Sequence, residues 1–213
     1  MDILNPVEVR VLGALLEKEI TTPEYYPLTI NALENACNQK SSREPVVNYD
    51  ENTVVDALES LQEKGLSVRI TGAGHRVEKF GHRLGERLNL GRRELALLCV
   101  LMLRDPQTVG ELRGRTERMH DFGDLDEVER CLEALSTREP NPLVAGVARG
   151  RWVQLLGGTP DATAETESAA PLAASQRGAL VEQRSALEER VAILEHDVAE
   201  LKQQLESFRR QFE

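Results

Sequence analysis

Residues 50–61, DENTVVDALESL, run in step with residues 124–135, DLDEVERCLEAL. Asp50 aligns with Asp124, Val54 with Val128, Leu58 with Leu132, Glu59 with Glu133 and Leu61 with Leu135. Upstream, EVRVLGALLEK from Glu8 parallels ELALLCVLMLR from Glu94. Downstream, RVEKF from Arg76 parallels RWVQL from Arg151. Three matches in the same order mark an internal duplication. This constrains residues 1–157 more than any other feature, because one local pattern has to serve both copies.

In the first copy Asn5 is placed to cap a helix, with Pro6 at its first position and Glu8 set to reach back in a capping box. Val11, Leu12, Leu15 and Leu16 then make one apolar stripe. Thr29 caps a short second helix whose Ile30, Leu33, Ala36 and Cys37 share a face. Asp50 caps a third helix, with Val54, Val55, Leu58 and Leu61 inward, and Gly65 ends it. Val68 and Ile70 alternate with polar residues before a TGAG turn, and RVEKF returns, which predicts a β-hairpin. The second copy predicts a helix over 92–103, a short one from Thr108 and a third from Asp124. Its hairpin runs from Leu143 to Leu156 and turns at Ala148-Arg149-Gly150. Three helices and a hairpin are the winged-helix order. The expected fold is mainly α with small β-hairpins (α+β): two tandem winged-helix domains, 1–84 and 85–157.

Residues 158–178 are rich in Ala, Thr, Ser, Gly and Pro, the composition of a flexible linker. Residues 179–213 carry a heptad pattern. Leu180, Leu187, Leu194, Leu201 and Phe208 recur every seventh residue at d, and Arg184, Val191, Val198, Leu205 and Phe212 fall at a, with Arg184 expected to weaken the first heptad. β-branched residues at a with Leu at d favour a parallel coiled-coil homodimer over the alternative, a single amphipathic helix folded back onto the domains. Arg190 facing Glu195 and Asp197 facing Lys202 would support that pairing across the two strands.

Bulk properties exclude some classes. No apolar run is long enough to span a membrane. The start, MDILNPVEVR, lacks the basic region and apolar core of a signal peptide. Cys37, Cys99 and Cys131 lie far apart on helical patterns, so they read as reduced, buried side chains rather than disulfides or metal ligands. A net charge of −10 disfavours non-specific polyanion binding by the chain as a whole.

LNPVEVRVLGALLEKE, TTPEYYPLTINALENACNQKSSREPV and the DENTVVDALESL helix resemble the YceH-like family of uncharacterised bacterial proteins, over about residues 4–156. The resemblance implies a cytoplasmic protein with tandem winged-helix domains. It implies no activity.

No constellation of an enzyme is legible, so a non-enzymatic protein without cofactor or metal is expected. His75, His82, His120 and His196 have no Cys or His at metal-ligand spacing. The glycines at 72–74 sit inside a hairpin turn rather than after a strand. Cys37 beside Asn38 reads as a small core residue.

A winged helix usually lays its third helix in the major groove, where Arg, Lys, Asn or Gln must face outward. Here the outer face of the first copy's helix is Asn52, Thr53, Asp56, Glu59, Ser60 and Glu63. That of the second is Asp126, Glu127, Arg130, Glu133, Ala134 and Thr137. Both are poor surfaces against phosphates. The cations lie elsewhere. Lys40, Ser42 and Arg43 fall in the loop before the third helix. Arg69, Arg76 and Lys79 fall on the first wing. Arg113, Arg115 and Arg118 punctuate the second copy's short helix, and Arg149 and Arg151 bracket its wing turn. Tyr25 and Tyr26 are expected to pack over the first helix. Two readings follow. In the first, a DNA-associated or regulatory homodimer contacts phosphates through wings and loops. In the second, a protein-interaction scaffold docks basic partners on its acidic third helices. Sequence favours the first slightly, on the analogy of fold.

Overall fold

A computed structural model describes residues 2–71, 77–104 and 106–158. Arg76 and His75 lie outside the described residues. So do the linker beyond Gly158 and every zipper position: Leu180, Leu187, Val191, Leu194, Val198, Leu201, Leu205 and Phe208.

The chain is a mixed α/β protein, with seven α-helices among the described residues and two small antiparallel sheets. The first repeat consists of α1 (Pro6–Thr21), α2 (Ile30–Cys37), α3 (Glu51–Glu63), β1 (Ser67–Ile70) and β2 (Lys79–His82). A short α4 (Leu84–Leu88) leads to the second repeat: α5 (Arg92–Leu103), β3 (Gln107–Thr108), α6 (Val109–Thr116), α7 (Leu125–Ser136), β4 (Val144–Val147) and β5 (Arg151–Gln154).

The capping chemistry read from the sequence sets the helix starts. The Glu8 N–H donates to Asn5 Oδ1 at 2.9 Å, and the Asn5 N–H donates to Glu8 Oε2 at 2.7 Å. Thr29, Asp50, Thr108 and Asp124 each accept a backbone N–H of the first turn that follows. Each side chain satisfies a donor that a helix leaves unpaired. Gly65 leaves α3 at φ 69°, a left-handed backbone that glycine adopts at little cost.

β1 pairs with β2 from Ser67↔His82 to Ile70↔Lys79. β4 pairs with β5 from Val144↔Gln154 to Val147↔Arg151, and β3 lines the other edge of β5. The Ala148–Gly150 turn places Arg149 and Gly150 at φ 61° and 66°.

One property of the core departs from expectation. A single apolar stripe was expected on α1, yet every residue from Glu8 to Leu16 is buried, Glu8 and Arg10 included. Helix α5 is buried throughout from Ala96 to Leu103. The equivalent helices of the two repeats pack on each other, so each is enclosed by its own repeat on one side and by its counterpart on the other. Gly13 permits the approach: a Cβ there would lie 2.9 Å from Leu103 Cδ2 and 3.1 Å from Met102 Cβ. The Leu4 N–H also donates to the Leu156 carbonyl at 2.8 Å, tying the start of the first repeat to the end of the second.

Two smaller expectations are revised. Val55 is only half-buried, and Ala57 takes the inward position. Tyr26 packs against the core and its hydroxyl accepts the His82 N–H at 2.7 Å, but Tyr25 is 71 % exposed.

Candidate functional site

The polar loop between α2 and α3 is closed at its base by one side chain. Asn38 Nδ2 donates to the Tyr49 carbonyl at 2.7 Å, and Asn38 Oδ1 accepts the Tyr49 N–H at 2.8 Å. Within that closure two buried arginines hold the loop from beneath. Arg10, from α1, donates to the carbonyls of Cys37 (3.2 Å) and Pro45 (2.6 Å). Arg43 donates to the Ala36 carbonyl through Nε (3.0 Å) and Nη2 (2.7 Å), and to Glu17 Oε2 at 2.6 Å. Its side chain has no exposed surface. The Ala36 and Cys37 carbonyls belong to the last turn of α2, which a helix leaves without partners. Guanidinium groups fit there because they are cationic fork donors at the negative end of the helix dipole.

Arg43 is therefore corrected from a phosphate contact to an internal brace. Its five donors serve backbone carbonyls and Glu17, and nothing remains to face solvent. Ser42 beside it is exposed and takes a left-handed backbone, φ 59°. Lys40 is exposed at the tip. The Glu44 N–H donates to the Leu103 carbonyl at the end of α5 (2.9 Å), so the loop also joins the two repeats.

The other candidate cations divide. Arg69 pairs with Glu78 at 3.0 Å across the first hairpin and lies over the Phe80 ring. Lys79 is half-buried. Arg113 donates to the carbonyls of Phe122 (3.1 Å) and Gly123 (3.0 Å), bracing the turn before α7. Arg151 donates to the Pro106 carbonyl at 2.6 Å and to Glu111 at 3.3 Å, and Arg115 approaches Glu111 at 3.6 Å. The Thr108 N–H, and then these two arginines, hold the Glu111 carboxyl below the ordinary carboxylate range. Arg118 and Arg149 are exposed. The set does not converge on one surface: Lys40, Arg118 and Arg149 remain open to solvent, while most of the others are committed to internal partners.

The third helices present the opposite charge. Asn52, Asp56, Glu59 and Glu63 are exposed on α3, and Asp126, Glu129, Arg130 and Glu133 on α7. Leu125, at the first turn of α7, is 46 % exposed beside those acids. Lys64, at the end of α3, turns inward to the buried Glu8 at 2.5 Å. Burial opposes the charge on Glu8, but hydrogen bonds from Lys64, Ser60 and Asn5 outweigh it and keep the carboxyl below the ordinary range.

The structure also removes Cys37 as a nucleophile. Burial pushes its thiol up to about 12, against the nearby Arg43 and Arg10 charges, whereas a reactive cysteine needs a thiolate in an accessible cationic site. Among the described residues, no three His, Cys, Asp or Glu side chains come together as a metal site requires. No helix among them is long and apolar enough to cross a membrane.

Sequence reading missed a second buried polar group. His82 Nε2 lies 2.6 Å from Glu19 Oε2, and His82 Nδ1 accepts the Leu84 N–H at 3.1 Å. The ring thereby links α1, β2 and the start of α4. Its only sequence signal was a histidine at the end of a strand, two residues before a helix.

A family model described as a protein of unknown function, DUF480, matches residues 4–151. A UPF0502 protein of Solibacter usitatus is 56 % identical over 179 residues, covering 83 % of this chain and 84 % of that one. Another, of Opitutus terrae, is 55 % identical over 165 residues, covering 75 % and 72 %. One of Geotalea daltonii is 55 % identical over 183 residues, covering 83 % of each chain. The chain belongs to this DUF480/UPF0502 family of uncharacterised bacterial proteins, in agreement with the YceH-like resemblance of its α1 and TPEYYPLT segments.

Proposed function

We propose that residues 1–157 form two winged-helix units that act together as a non-enzymatic protein-docking module, binding a partner with a basic surface on the outward faces of α3 and α7. The order α1–α2–α3–β1–β2, repeated as α5–α6–α7–β4–β5, supports the winged-helix reading. One observation carries the functional reading. Both third helices turn carboxylates to solvent at matched positions, Glu59 and Glu133 among them, while the loop cation Arg43 is buried. A groove-reading helix needs the reverse arrangement. Acidic faces draw a basic partner by electrostatic complementarity, which acts mainly on encounter rate and selectivity. Homodimerisation through the zipper at 179–213 would present four such faces.

Charge reversal tests this. In native-cell extract, the chain carrying Glu59→Lys and Glu133→Lys is expected to lose a partner that the wild type and Lys40→Glu both retain, with unchanged thermal stability. The DNA-associated reading gives the opposite pattern. In it, the wild type retains duplex DNA at about 50 mM salt, loses it steeply as salt rises, and is weakened by Lys40→Glu and Arg149→Glu.

A further inference from the structure

We propose that the cleft where the ends of α1, α5 and α6 meet binds the phosphate group of a small phosphorylated ligand. Arg104, Arg115 and Arg118 line it together with Ser42, and Glu17 is its one carboxylate. Glu17 is already engaged by Arg43 through both guanidinium nitrogens, at 2.6 and 3.2 Å. Three arginines therefore share the cleft; Glu44 is the further acid that acts on Arg104, and Glu111 meets Arg115 from outside the cleft lining. Arg118 and Arg104 make no ion pair or hydrogen bond among the described residues. Arg115 meets Glu111 only at 3.6 Å, and its Nη1 is out of contact with solvent with no acceptor in reach.

Such a group is costly to leave unmatched. A buried donor without an acceptor loses its hydration, and like charges in one partly buried cleft repel. Burial, then the neighbouring Arg115 and Arg43, depress the Arg104 guanidinium from its usual range, against the opposing pull of Glu44 and Glu17. A dianionic oxyanion would answer these demands together, because planar guanidinium forks match tetrahedral oxyanions in pairs of parallel hydrogen bonds. The cavity measures about 50 Å³, room for a few water-sized groups. It suits one phosphate and is too small for a sugar or base, so the remainder of a ligand would lie outside it. The site lies at the α1–α5 seam, on residues other than those of the proposed docking faces, so the two readings fail separately.

Thermal unfolding of the full chain provides the test, with inorganic phosphate and ribose 5-phosphate as probes and sodium chloride at matched ionic strength as the control. The expected result is a saturable rise of several degrees in midpoint, beyond that in chloride. The better-binding probe tells free phosphate from a phosphate monoester. Arg104→Gln with Arg118→Gln is expected to abolish the rise. Arg118→Gln alone, at an exposed position, is expected to weaken binding about tenfold, and it remains informative if the double variant folds poorly. No rise beyond chloride with either probe, or an equal rise in Arg118→Gln, overturns the proposal.

Discussion

A single arginine separates what the sequence of the polar loop suggests from what its structure does. Lys40 and Arg43 are three residues apart in one hydrophilic run. One is exposed, and the other has no side-chain surface in contact with solvent. Nothing in local pattern distinguishes them, because the partners of Arg43 are Glu17 on α1 and a carbonyl of α2, and burial of a charge depends on which elements close over it. The difference is measurable. Arg43→Ala leaves Glu17 with only the more distant Lys18 and removes the Arg43 donors from the Ala36 carbonyl, and should cost about 3 kcal/mol in urea unfolding. Lys40→Ala should change stability by less than about 0.5 kcal/mol. His82 adds a pH dependence. Burial lowers its pKa below 6.5, although Glu19 acts in the other direction. The unfolded chain therefore takes up the proton first. The stability this ring contributes is complete above pH 6.5 and is lost as pH falls through the lower folded-state value. Protonation at Nδ1 would also remove the acceptor of the Leu84 N–H. Urea midpoints at about pH 7.5 and 5.5 should fall more for the wild type than for His82→Gln.

At the scale of elements, sequence was most informative where chemistry is local. Asn5, Thr29 and Asp50 were readable as caps, and Thr108 and Asp124 as the starts of their helices, because a cap needs only a side chain and the turn that follows. The hairpins were readable from alternation. What was hidden is the second face of α1 and α5. A helix that packs on both sides carries apolar residues all round, and from sequence its extra face cannot be assigned to its own repeat or to the other. Gly13 was the available clue, a glycine inside a helix, and the structure gives its reason in the contacts with Leu103 and Met102. Gly13→Val should force α1 and α5 apart and cost about 1–3 kcal/mol by overpacking, despite the better helix propensity of valine. Chemical denaturation followed by circular dichroism reads this directly. The short α4 and β3 also escaped notice, since five and two residues carry too little periodicity to recognise.

For the whole molecule, the duplication explains both the architecture and the proposed mode of action. Two copies of one unit, joined through their first helices, repeat one acidic surface on α3 and α7. The bases that made a nucleic-acid interface attractive from sequence serve largely to brace loops and to pair with Glu17, Glu78 and Glu111. Charge at a position was legible in the sequence; whether it faces solvent was decided by packing between repeats. The most direct test of the docking account is photo-crosslinking in living cells, from a crosslinking amino acid placed at position 59, 133, 40 or 149. Positions 59 and 133 are both expected to join the same protein, within a stretch rich in Lys and Arg, and positions 40 and 149 are not. Adducts to DNA, or protein adducts from 40 and 149 with none from 59 and 133, would contradict it.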